Sequence, residues 1–218
     1  YTQRGKIYTW CVNGYWMDYT NQLVLTGKVN DVGAYTRINI PKSFRLGAEL
    51  SGSVKPHPML ILSANIAFSM NRIENFTEYY DNYDTGMQDS VFHGTTDIAF
   101  SPWAVGGFTF TFTPVKNLDI ELTGKYVGRQ FLDNTSQISR SLDPFFVNDF
   151  RMRYSLDFKS GIYMRFNFMV MNFTNRMYAP NGYTFSYVWG GALTTENYLY
   201  PQAGIHVMGG ITLGFAKK

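Results

Sequence analysis

The sequence predicts an all-β protein, an antiparallel up-and-down transmembrane β-barrel whose apolar side chains point outward. Three observations carry this. From Ala203 to Phe215, the residues Ile205, Val207, Ile211, Leu213 and Phe215 fall on one side at period two, and His206, Met208, Gly210, Thr212 and Gly214 fall on the other. The second face is too small and mixed to be the inside of a sandwich, so the oily face points at lipid, the inversion of the soluble rule that such barrels show. Seven further stretches repeat this pattern, and the connections between all eight are long and very short by turns. Finally, aromatic residues make up 17% of the chain and charged ones only 16%, against a usual charged share of about 25%. The mean hydropathy of −0.18 is what two opposite faces average to.

The elements follow in order. Gly5 to Asp18 places Ile7, Cys11, Tyr15 and Met17 on one side and Tyr8, Trp10, Val12 and Trp16 on the other. Tyr15, Trp16 and Tyr19 gather near its end, as at a headgroup boundary. Tyr19 to Lys42 reads as a long polar connection. Ser43 to Val54 separates Phe44, Leu46, Ala48 and Leu50 from Arg45, Gly47, Glu49 and Ser51. A four-residue turn, Lys55 to Pro58, leads into Met59 to Asn71, whose Leu60, Leu62, Ala64, Ile66, Phe68 and Met70 oppose Ser63, Asn65 and Ser69.

Asn75 to Pro102 reads as a large outer loop, acidic and aromatic. Trp103 to Thr113 sets Phe108, Phe110 and Phe112 against Thr109, Thr111 and Thr113, and a turn at Pro114 to Asn117 precedes the cleanest alternation in the chain. There Leu118, Ile120, Leu122 and Tyr126 oppose Asp119, Glu121, Thr123, Lys125 and Arg129. After a polar loop from Gln130 to Phe145, the strand Phe146 to Asp157 opposes Phe150, Met152, Tyr154 and Leu156 to Asp149, Arg151, Arg153, Ser155 and Asp157. A tight turn at Phe158 to Gly161 leads to Ile162 to Phe173, where Arg165 and Asn167 oppose Phe166 and Phe168; Thr174 to Gln202 is the last long loop.

Long loops on one side and short turns on the other describe extracellular loops and periplasmic turns. A soluble sandwich would have to bury the faces carrying Asp119, Glu121, Arg151 and Arg153, at several kcal/mol per unpaired charge, or expose every apolar face to water. The terminal strand, ending on Phe215 close to the chain end, resembles the C-terminal signature of outer-membrane barrel proteins, with Ala216, Lys217 and Lys218 following it.

Three stretches resemble a known family: YTNQLVLTGKVNDVGAYTRINIPKSFRLGAEL from Tyr19, KYVGRQFLDNTS from Lys125 and NFTNRMYAPNGYTFSYV from Asn172. Together they look like the C-terminal part of a TonB-dependent outer-membrane receptor of the kind common in Bacteroidetes, over nearly the whole chain. The resemblance implies a barrel of about 22 strands with a plugged lumen, of which these are the last eight. The plug, the earlier strands and the segment that meets the TonB complex would precede Tyr1. It also implies uptake of a scarce, bulky ligand such as a ferric siderophore, haem, cobalamin or a glycan, recognised partly by outer loops. The loop residues Tyr79, Tyr80, Tyr83, Phe92, His93, Tyr183, Tyr187 and Trp189 are the binding candidates, or else pack the loops and the interfacial girdle. Arg45, Glu49, Asp119, Glu121, Lys125, Asp149, Arg151, Arg153, Asp157 and Arg165 are expected to form a cross-strand network facing the lumen. A closed eight-stranded barrel with a structural or enzymatic role, or a soluble carbohydrate-binding β-domain, stays open as an alternative.

Other chemistry is not signalled. No run of about 18 apolar residues exists to cross a membrane as a helix, and no basic n-region followed by an apolar h-region opens the chain, so any signal peptide is expected to have been removed or to lie on an earlier N-terminal part. Cys11 stands alone, which excludes an internal disulfide or a thiolate cluster, and is expected on the lipid face or in a loop. The net charge of +3 comes from scattered Lys and Arg, so nucleic acid is not expected as a partner. His57, His93 and His206 lack ligand spacing, no cofactor is implied, and the acidic residues Glu78, Asp81, Asp84 and Asp89 follow no calcium-loop pattern. Ser90, His93 and Asp97 lie in no nucleophile-elbow context, so no catalytic residue is proposed.

Overall fold

The computed structural model describes residues 1–158 and 161–215. The expected turn at Phe158 to Gly161 therefore falls partly outside the described residues, as do Ala216, Lys217 and Lys218. The strands are β1 (Thr2–Arg4), β2 (Tyr8–Val29), β3 (Tyr35–His57), β4 (Leu60–Asn82), β5 (Met87–Asp97), β6 (Ala104–Val115), β7 (Leu118–Val127), β8 (Gln130–Phe131), β9 (Ser141–Leu142), β10 (Phe145–Asp157), β11 (Ile162–Met171), β12 (Asn181–Trp189), β13 (Ala192–Tyr200) and β14 (His206–Phe215). One sheet runs in the order β1-β2-β3-β4-β6-β7-β10-β11-β14. Its members from β2 onward are the eight strands that the alternation predicts, in sequence order and antiparallel.

The pairing registers keep the two faces apart across the sheet. On one face a row runs Tyr15, Gly47, Ser69, and another runs Thr111, Glu121, Arg151, Met169, Met208. On the other, Leu46 lies between Trp16 and Met70, while Phe166 lies between Tyr154 and Ile211. This apolar face stays open, with Trp16, Leu46, Leu50, Phe68, Ile211, Leu213 and Phe215 all exposed. An apolar surface of that extent is far above the few hundred square ångströms usual on a soluble monomer. Cys11, opposite Ser51 and accepting a hydrogen bond from Thr2, lies on the polar face instead of the apolar face or a loop.

The sheet does not close on itself. No pairing joins β14 to β1 or β2 among the described residues, which removes the closed eight-stranded barrel. The first edge is partly covered: Thr2–Arg4 folds back along Thr9 to Cys11 and gives β2 a neighbour over this short stretch.

The long connections are where the structure departs from the sequence reading. Tyr19 to Lys42 is not a loop; β2 and β3 continue past the apolar band to a tight turn in which Asn30 Oδ1 accepts the amides of Val32 and Ala34. Asn75 to Pro102 is likewise largely strand. The inner half of β4 pairs with β6, and its outer half, from Arg72 on and interrupted by a bulge around positive-φ Asn75, pairs with β5. Thr174 to Gln202 holds the hairpin β12–β13, turned at Gly190 and Gly191, both at positive φ. Only Gln130 to Phe145 is mainly irregular, and even it contains the short β8–β9 pair. These extensions enclose a small core of Val24, Ile40, Ile73 and Ile98, with Phe76 against it.

Candidate functional site

The loop Gln130 to Phe145 anchors the outer end of the structure. Asn134 donates to the carbonyl of Leu25 and accepts from the amide of Ala99, so one side chain ties β2 to the segment after β5. Ser136 Oγ accepts the amide of Asp97 and donates to its carboxylate. Leu132 and Leu142 are fully buried. Close packing explains Gly27, which has φ +85° and faces the backbone of Leu132 and Asp133, where no side chain could fit.

At the centre lies Arg140, whose side chain is 2% exposed. Its Nη1 donates to the carboxylates of Glu78 and Asp133 and its Nη2 to Thr195 on β13. Burial works against this charge, but Asp133 and Glu78 outweigh it and raise the guanidinium pKa. His93 completes the cluster, 3.0 Å from the other oxygen of Glu78 and stacked on Phe76. One buried group of charges thus joins three elements: the β4–β5 hairpin, the anchoring loop and β13.

The hairpin β12–β13 lies over this cluster with its small face inward, where Thr184 and Ser186 are buried. Its other face carries rings. Tyr183 stacks on Tyr198 at 4.8 Å, Phe185 lies parallel to Tyr198, and Tyr187 continues from Phe185. Tyr83, at the tip of the β4–β5 hairpin, meets Tyr187 and Trp189 at 5.9 and 6.3 Å. Glu196 accepts hydrogen bonds from Tyr187 and Tyr198, and those two bonds, that of Tyr198 foremost, hold its carboxyl below the ordinary range. The two hairpin tips are locked by Asp84, which accepts the amides of Gly190 and Gly191 at 2.9 and 2.7 Å.

The sequence candidates therefore divide. Tyr83, Tyr183, Tyr187 and Trp189 come together on one aromatic surface. Tyr80 is buried on the β4–β5 hairpin, and His93 is committed to Glu78. Tyr79 and Phe92 are exposed, on β4 and β5. Phe185, Tyr198, Tyr200 and Glu196 were missed, although Tyr183, Phe185, Tyr187 and Trp189 at period two before a Gly-Gly pair is a hairpin signal. His93 and Ser90 form no triad with Asp97, whose carboxylate is engaged by Arg72 and Ser136.

The charged residues of the polar face form pairs more than one network. Glu121 receives Arg153 at 2.6 Å and Arg151 at 3.4 Å. Asp119 accepts from Thr113, Asp149 from the amide of Asn172, Glu49 from Asn13, and Arg45 donates to Asn71. Arg165 stands opposite Ser155, with Asp157 opposite Tyr163 two residues earlier on the same face, and its guanidinium lies 4.7 Å over the Tyr163 ring. Lys125, opposite Gly107 and Val147, enters no ion pair among the described residues.

Comparison with known proteins decides the family. The model described as TonB dependent receptor-like, beta-barrel, matches residues 4–175. The chain belongs to that family. The receptor barrels of this family lie in the outer membrane of Gram-negative bacteria, and this chain does too, its open apolar face being the surface that location needs. No curated protein matches the chain by sequence. Solved structures share the fold: the ferric yersiniabactin uptake receptor FyuA from Yersinia pestis, at 15% identity and TM-score 0.64, covers 96% of this chain and 28% of its own. The copper transporter OprC, at 13% and 0.63, covers 96% and 29%. The siderophore receptor PiuA from Acinetobacter baumannii, at 13% and 0.61, covers 95% and 25%. The barrel segment thus spans between a quarter and a third of these receptors and transporters.

Proposed function

We propose that the chain is wall and outer mouth of a TonB-dependent receptor, its C-terminal eight barrel strands, working in uptake of a bulky ligand and not as an enzyme. The rest of the barrel, the plug and the TonB complex are its partners in this reading, and outer-membrane lipid surrounds it. The polar face, with Glu121, Arg151, Arg153 and Arg165, lines the lumen. The observation that carries the reading is the aromatic surface of Tyr83, Tyr183, Phe185, Tyr187, Trp189 and Tyr198, held on two hairpins by a buried ion cluster. Rings offer large contact area at little entropic cost and suit a ligand with planar or ring-shaped groups.

The ligand class among ferric siderophore, haem, cobalamin and glycan is read by binding to the full-length receptor. A set of one ligand of each kind, titrated against the receptor and against its Tyr187→Ala and Trp189→Ala variants, should give one binder whose affinity falls about tenfold or more in the variants. Unchanged affinity in both variants would remove the aromatic surface from the site.

A further inference from the structure

The two hairpins that carry the aromatic surface are free of basic residues. Between Arg72 and Lys116 the chain holds no Lys or Arg, and between Arg176 and Lys217 again none, whereas Asp81, Asp84, Asp89 and Glu196 fall within these stretches. Asp81 stands opposite Tyr187 where β12 pairs with β4, Asp84 binds the Gly190 and Gly191 amides, and Glu196 lies among the rings, opposite Phe185. Two cations of neighbouring elements are already engaged. Arg140 is buried between Glu78 and Asp133. Lys28 lines a cavity beside Phe185, but Glu78 and Asp133 line it too, and its ammonium donates to the carbonyl of Tyr79.

A surface with carboxylates and no available cation repels anionic ligands, among them ferric tris-catecholates and haem with its propionates. A cationic ligand finds little to hold it. Tyr183, Tyr198 and Phe185 lie parallel and stacked, so their electron-rich faces are turned to one another. The carboxylate of Glu196 already receives the hydroxyls of Tyr187 and Tyr198. What the face offers beyond this is uncharged. Among the described residues the hydroxyls of Tyr183, Thr194 and Tyr200, all on this face, enter no side-chain hydrogen bond. Trp189 and Tyr83, 67% and 60% exposed, leave ring surface open beside them.

We infer that the aromatic surface takes an uncharged oligosaccharide, its C–H faces against Trp189 and Tyr83 and its hydroxyls on Glu196, Thr194 and Tyr200. This rests on the aromatic surface being the ligand site. A carboxylate that accepts two hydroxyls keeps lone pairs for more, so Glu196 serves as a strong acceptor at the middle of the face. From Asn181 to Trp189 the strand runs about 26 Å at about 3.3 Å per residue, a length that several sugar rings in a row would follow.

The test sets the full-length receptor against an array of neutral oligosaccharides, each beside its uronic-acid counterpart of the same linkage, with a ferric tris-catecholate and haem as further anionic probes. A neutral oligosaccharide should bind about tenfold or more tighter than its acidic counterpart, with an affinity that added salt does not move. That affinity should fall about tenfold in Glu196→Gln, which removes a charged acceptor, whereas an anionic ligand would gain from the same change. A binder of any charge that both Tyr187→Ala and Trp189→Ala leave untouched removes the surface as the ligand site. An anionic or cationic binder lost in those two variants keeps the surface and overturns the oligosaccharide. An array without a neutral binder, or a neutral binder indifferent to Glu196→Gln, overturns it as well. Should Trp189→Ala loosen the hairpin, Glu196→Gln decides, because glutamine still accepts the tyrosine hydroxyls.

Discussion

Arg140 and Glu78, far apart in the chain, meet as an ion pair with side chains only 2% and 11% exposed. Removing one partner of such a pair strands the other charge away from water, at about 3–5 kcal/mol. Arg140→Ala is therefore expected to loosen the outer hairpins without unfolding the wall. Limited proteolysis should cut near Ser136 to Leu142 and near Gly190, while the strand content seen by circular dichroism holds. Resistance equal to that of the native receptor would show that the cluster does not hold the hairpins.

Glu196 gives the aromatic surface a pH limit. Its carboxyl is held below the ordinary range by the hydroxyls of Tyr198 and Tyr187, so the folded hairpin prefers the carboxylate. That contribution is complete above the ordinary carboxylate pKa and is lost as pH falls through the lowered value. On the alkaline side Tyr198 and Tyr187 are raised, first of all by their bonds to Glu196, so the contribution is lost again as pH climbs through their raised values. Fluorescence of Trp189, in a variant with the other tryptophans replaced by Phe, should follow a plateau between these limits. Glu196→Gln should abolish its acid edge.

The spanning strands were legible because each carries one wet and one oily face, so period two is written into Leu118 to Lys125 or Phe150 to Asp157 without interruption. Above the apolar band that rule lapses. Thr184 and Ser186 are small and polar yet buried, and Tyr198 and Trp189 are aromatic yet exposed, so β12 and β13 read as loop. The same holds for β5 and for the outer parts of β2, β3 and β4. Arg140, Asp133 and Glu78 were invisible as a cluster because their pairing depends on the loop that carries Asp133 and Arg140 folding onto the β4–β5 hairpin. Alternation sets Arg165 on the face away from Phe166, but its stacking on Tyr163 belongs to side-chain geometry that alternation does not encode.

On the polar face, Tyr15 lays its ring over Gly47, and a side chain there would also strike the carbonyl of Phe68. Gly47→Val should displace the ring and spread β3 from β4, costing about 1–3 kcal/mol as overpacking does. Denaturant titration of the receptor refolded into vesicles should show it. The double variant Gly47→Val/Tyr15→Ala should recover only part of the loss, because the backbone carbonyl remains.

Arg165 and Phe166 are neighbours in β11 on opposite faces, Arg165 beside Thr212 and Phe166 beside Ile211. If the apolar face meets lipid, Phe166→Arg near the middle of the strand must place a charge in hydrocarbon, at about 2–4 kcal/mol near the midplane. Arg165→Leu gives up only a stacking contact with Tyr163, worth about 0.5–1 kcal/mol at an exposed site. Refolding titrations in vesicles should therefore rank Phe166→Arg well below Arg165→Leu in stability. Nitroxide labels at the two positions test the same orientation without a stability readout. The label at 166 should be quenched by oxygen dissolved in the bilayer and the one at 165 by a water-soluble relaxant. Reversal of both results would mean that the polar face, with Glu121, Arg151 and Arg153, is turned to the lipid and that the wall is inside out.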